Sequence, residues 1–80
     1  MVRRDGAEVR RERIQQMTRL VVSRLNTEGG EISLSKMLAF LEYEYGLRRE
    51  KLLEYLRIGE ELNRFTIDEE RDQIRSINQS

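Results

Sequence analysis

Residues 33–68, SLSKMLAFLEYEYGLRREKLLEYLRIGEELNRFTID, decide how this chain is read. They contain two amphipathic segments on either side of Gly46. Leu34, Leu38, Leu41 and Tyr45 fall on one helical face, with Met37 beside them. Ser33 is placed to cap that helix, and Ile32 with Met37 makes a hydrophobic staple across its start. Gly46 supplies the left-handed residue that stops it, and Leu47 is the apolar residue such a stop packs back. A further helix begins near Arg48 and runs to about Gly59, with Leu52, Tyr55 and Leu56 facing one way. Leu62 is expected to fold back under the same core.

Two short helices joined by a Gly-containing turn form a helix-turn-helix when apolar positions lock them at a steep angle. Counted from Gly46, those positions lie five and one before it, then one, six and nine after. They are Leu41, Tyr45, Leu47, Leu52 and Tyr55, and all are apolar or aromatic. Four before the glycine, where such motifs favour Ala, stands Glu42. This implies either a rotated first helix or a longer turn.

Upstream, Ile14, Met17, Val21 and Leu25 step by 3, 4 and 4, one face of a long helix from Gly6 to about Asn26. Asp5 and Glu8 suit its N-terminal cap, and Gly29-Gly30 lets the chain reverse after it. Glu31-Ile32-Ser33 reads as a short strand or a single extended turn. Downstream, the signals compete. Phe65-Thr66-Ile67 alternates, and Glu69-Glu70-Arg71-Asp72 would join it to a second strand near Ile74. Thr66 with Glu69 instead resembles a capping box, and Ile67, Ile74 and Ile77 share a helical face. Local signals slightly favour helix. The hairpin is preferred because of what precedes it, with residues 64–68 pairing antiparallel to residues near 73–77.

The order helix, strand, helix, helix, strand, strand resembles the winged helix-turn-helix family, in particular small archaeal-type winged-helix DNA-binding proteins. The resemblance covers nearly the whole chain, through motifs of low specificity. It implies a mainly α fold of three helices with a small C-terminal β-hairpin, the wing, in one domain over residues 1–80. A plain helical bundle is the competing architecture. The resemblance makes residues 48–59 a recognition helix in the DNA major groove. Its cations would be Arg48, Arg49, Lys51 and Arg57. The wing would add Arg71, with Arg64 and Arg75 nearby, and Arg3 and Arg4 would form a flexible arm over residues 1–5.

Composition limits the alternatives. Eighty residues have room for one core, burying only roughly 60–65% of the surface an unfolded chain exposes. With no Cys and no His, thiolate and imidazole metal sites and Ser-His or Cys-His nucleophiles are absent. No phosphate-cradling or dinucleotide-binding glycine pattern occurs. Glu42 and Glu44 lie about 200° apart on a helix, too far round for a carboxylate pair. The expectation is a cytoplasmic binding protein, not an enzyme, without cofactor or metal, secretory leader or membrane span.

Charge argues both ways. The formal net charge is zero, but residues 1–27 carry seven Arg against Asp5, Glu8 and Glu12, while residues 28–80 are net acidic. Glu50 and Glu54 interrupt the supposed contact helix, Leu53 is apolar among them, and Asp68, Glu69, Glu70 and Asp72 make the wing acidic. The sequence therefore supports a small DNA-binding transcriptional regulator. A winged-helix protein-interaction module is the alternative, and a structural bundle without a ligand the third reading. Leu20 and Val22 widen the apolar face of the first helix, which suggests a homodimer through it.

Overall fold

The computed structural model describes residues 6–77. Asp5, Arg3 and Arg4, read above as a cap and a basic arm, lie outside the described residues. The chain order is α1 (Gly6–Thr27), β1 (Glu31–Ser33), α2 (Leu34–Tyr45), α3 (Arg49–Glu61), β2 (Phe65–Asp68) and β3 (Gln73–Ser76). Among the described residues three helices pack with one small antiparallel sheet, an arrangement compatible with a winged helix. No helix among the described residues is long and apolar enough to cross a membrane.

Helix ends follow local chemistry. Gly29 and Gly30 both adopt positive φ after α1, and the Gly30 N–H reaches back to the Leu25 carbonyl at 2.6 Å. The Ser33 hydroxyl accepts the Lys36 N–H at 3.3 Å and caps α2. Gly46, at φ 65°, closes α2 with its N–H on the Glu42 carbonyl.

The end of α3 differs from the expectation. The helix passes through Gly59 and runs to Glu61. Asn63, at φ 58°, takes the left-handed position, and the Arg64 N–H bonds the Gly59 carbonyl at 3.1 Å. This is the pattern of a helix stop built on Asn, whose short polar side chain tolerates that conformation. Gly59 thus serves packing, and Asn63 serves as the stop.

The C-terminal segment is a hairpin, and β3 is the central strand in the order β1-β3-β2. Ile74 pairs with Ile32 on one side and Ile67 on the other. That row faces the helices: Ile74 is fully buried, and Ile32 and Ile67 are partly buried against the core. The Thr66 capping signal loses because a helix would forgo this pairing. Ile77, which a helix would have buried beside Ile74, is exposed. In the connecting loop the Asp68 carboxylate accepts the Arg71 N–H at 3.2 Å, and Asp72 takes φ 52°.

The core gathers Ile14, Met17, Val21 and Leu25 of α1, Leu34, Met37, Leu38 and Leu41 of α2, Leu52, Tyr55 and Leu56 of α3, then Phe65 and Ile74. Two expected members, Leu47 and Tyr45, are only half-buried at its edge. Leu62 does not fold under the core; it is 59% exposed. The Asn63 stop turns the chain so that Phe65 occupies the space beneath α3 instead. Among the described residues, no buried side-chain nitrogen or oxygen lacks a partner.

Candidate nucleic-acid interface

The first turn of α3 lies open to solvent. Arg48 stands at its N-cap in extended conformation and makes no side-chain cap. Arg48, Arg49, Glu50 and Lys51 are all exposed. The outer face continues through Leu53 and Glu54 to Arg57, forming a shallow depression with Leu53 half-buried within it. Leu52, Tyr55 and Leu56 hold the opposite face in the core, so the amphipathic pattern of α3 fixes which residues point outward.

Most of the expected cations have carboxylate partners. Arg49 Nε lies 3.2 Å from Glu42 Oε1. Glu42, the residue that does not fit the compact motif, thereby bridges α2 to α3 across the short Gly46-Leu47-Arg48 link. Lys51 Nζ lies 3.2 Å from Glu54 Oε2 and 5.9 Å from the centre of the Tyr55 ring. Arg57 Nη2 lies 2.7 Å from Glu69 Oε1, which ties the hairpin loop to α3. Arg71 Nε lies 3.8 Å from Asp68 Oδ2 within that loop. Of the five named cations among the described residues, Arg48 alone has no ion pair. Arg64 is exposed, remote from this face, beside α1; Arg75 is half-buried in the sheet opposite Glu31 and Thr66.

These pairs leave the surface near neutrality, with Glu50 and Glu70 adding further acid. All four pairs lie at the surface, Asp68 being the one half-buried partner, and such pairs contribute only about 0–1 kcal/mol each, so an anionic ligand can exchange them at small cost.

By sequence Asp72 is one more acid on the wing. Its carboxylate in fact accepts the Ser33 hydroxyl at 2.8 Å, and the Ser35 hydroxyl and N–H at 2.8 and 3.0 Å. Its carbonyl accepts the Leu34 N–H at 3.0 Å. Hydrogen bonds from Ser33 and then Ser35 hold the Asp72 carboxyl below its ordinary range, with Arg49 contributing. The loop is thus fastened to the start of α2. Ser33 is legible in the sequence as a cap; only folding brings Asp72 to it and to Ser35. Tyr45 sits at the edge of the core, where burial, then Glu44, raise its phenol above the ordinary range against the opposing effect of Arg13. Tyr43, in contrast, is fully outward at 88% exposure.

No protein-family model, curated protein or solved structure matches this chain. Its class rests on the three helices and the antiparallel sheet described here.

Proposed function

We propose that this protein is a winged helix-turn-helix DNA-binding protein, a small transcriptional regulator that lays α3 in the major groove and acts by binding rather than catalysis. One observation carries the reading. Arg48, Arg49 and Lys51 are exposed on the first turn of α3, whose N-terminal amides have no side-chain cap. Helix N-termini favour anions, and arginine binds phosphate or guanine edges with two hydrogen bonds. The Arg57–Glu69 pair ties the hairpin to α3, which supports a wing contact to the DNA backbone through Arg71. Exchange of the ion pairs and the nearby carboxylates keep the affinity modest. The test is titration of a fluorescent generic duplex at several salt concentrations. Binding that weakens with salt supports the reading, and absence of binding at low salt refutes it.

A second reading is a winged-helix protein-interaction module. It is favoured by half-buried Leu53 at the centre of the α3 face, surrounded by Glu50, Glu54 and mutually paired charges. Such a face suits a protein surface with its own apolar centre better than a phosphate backbone.

A further inference from the structure

A groove runs along α1 beside the connection from α3 to β2. Ile14, Thr18 and Val22 form its floor, Leu62 stands on its lip, Arg19 and Arg64 flank it, and Gln15, Ser23 and Asn26 complete its lining. Leu62 is 59% exposed, more than the other exposed aliphatic side chains of the described residues, Val9 at 42% and Ile77 at 41%. Arg19 and Arg64 are exposed and take no part in the ion pairs of the described residues. Among the described residues no carboxylate lines the groove, whereas the depressions over α3, over the sheet and beside the hairpin loop each include at least one. Its charge and floor call for an apolar group with an anion next to it.

The chain itself displays that combination. Glu61 and Leu62 are neighbours at the C-terminal end of α3, and both are exposed. We propose that this groove is the interface of a two-fold homodimer, in which Leu62 enters the groove of a second copy and Glu61 faces the partner's Arg19. A two-fold contact must be self-complementary, with the same patch supplying knob and socket. Leu62 meets that condition, because it is both the exposed knob and a wall of the socket. The charges meet it as well, since Arg19 and Arg64 line the groove without an ion pair among the described residues, and Glu61, next to Leu62 in the chain, is the acid that a second copy would bring with its own Leu62. Helix α1, at 22 residues, is about 33 Å long and offers a strip alongside the groove to extend the contact. A standard interface takes about 800 Å² per partner, about an eighth of this chain's 6045 Å² surface. Leu62, Arg19 and Arg64 lie off the outer face of α3, and Glu61 stands one turn beyond Arg57 at the end of that face, so the proposal does not depend on what the first turn of α3 binds.

The experiment is sedimentation equilibrium of the full chain from micromolar to hundreds of micromolar, with circular dichroism of every variant. The expected parent mass rises with concentration from one chain towards two. Leu62→Glu should give the mass of one chain throughout with an unchanged helical spectrum, since the side chain is exposed. Arg19→Glu and Glu61→Arg should each weaken association by about tenfold. The double variant Arg19→Glu/Glu61→Arg should restore it, which a merely unfolded or nonspecific variant would not do. A parent that remains a single chain throughout overturns the proposal and leaves the groove to an acidic segment of another protein. A dimer indifferent to Leu62→Glu also overturns it, as does a folded double variant that stays monomeric.

Discussion

A Cβ placed on Gly59 would lie 2.5 Å from Cζ of Phe65, inside the ring's van der Waals envelope. Both residues are buried, Phe65 completely. The glycine is therefore a seat cut in α3 for the aromatic ring that anchors β2. Gly59→Ala gains up to about 1 kcal/mol of helix propensity, yet overpacking costs typically about 1–3 kcal/mol. The expected outcome is net destabilisation with displacement of the Phe65 ring. Denaturant unfolding gives the sign, and a more stable Gly59→Ala variant would show that the ring moves aside freely.

Core truncations should separate from surface ones. Leu38 and Leu52 are 3% and 0% exposed and belong to the cluster joining all three helices. Leu38→Ala or Leu52→Ala should each cost roughly 2–5 kcal/mol. In the single chain at low concentration, Leu62→Ala should change stability by about 0.5 kcal/mol or less, because most of its side chain is exposed. Thermal melts of the three variants make the comparison directly, and equal losses would contradict the burial described here.

Acid should loosen the hairpin loop from α2. The Asp72 carboxyl is held below its usual value of 3.8 by the Ser33 and Ser35 hydrogen bonds. A group whose pKa is lower in the folded state stabilises it above the unfolded value and loses that contribution as pH falls through the folded value. Below pH 3.8 the unfolded chain binds this proton first, so stability drops with acidification in that window. Asp72→Asn should flatten this part of the profile. Melting at stepped pH checks it, and superimposable parent and variant profiles would rule the contribution out.

The DNA reading makes a charge-reversal prediction. Arg48→Glu with Arg49→Glu should abolish duplex binding, whereas Glu50→Gln should tighten it. Non-specific dissociation constants are expected on the order of 10⁻⁴–10⁻⁶ M at physiological salt, with a slope near 0.9 per phosphate neutralised. Affinity unchanged in both variants would move the binding surface elsewhere. If no duplex binding occurs at low salt, Leu53→Asp becomes the informative variant, because it disrupts the apolar centre on which the protein-interaction reading depends.

Helices were legible because their determinants are local. The stripe Ile14, Met17, Val21, Leu25 repeats at the helical period, and all four are buried on one face of α1. Ser33 and Gly46 mark the ends of α2 through hydrogen bonds made within a few residues. Arg48, Arg49 and Lys51 were equally legible as outward-facing, since Leu52 and Tyr55 set the orientation of α3. Gly59 misled for the same local reason: a glycine near a helix end resembles a stop, whereas its cause is a ring six residues further on.

The C-terminal segment and the charge balance of the site depended on residues distant in sequence. Between Thr66 and Ile77 the local signals for helix and strand nearly cancel. The strand prevails because β3 satisfies its backbone against β1 and β2 together and buries Ile74 between Ile32 and Ile67. No residue within one turn of Ile74 carries that information, and Ile32 lies on the far side of two helices in the chain. Likewise the sequence shows arginines and glutamates without stating which will meet. Packing of α3 against α2 and of the hairpin against α3 brings Glu42 to Arg49 and Glu69 to Arg57. Periodicity and caps are properties of a few neighbouring residues and can be read in order. Strand pairing and ion pairing are contacts between separate elements, formed only once burial of the shared core has fixed where each element lies.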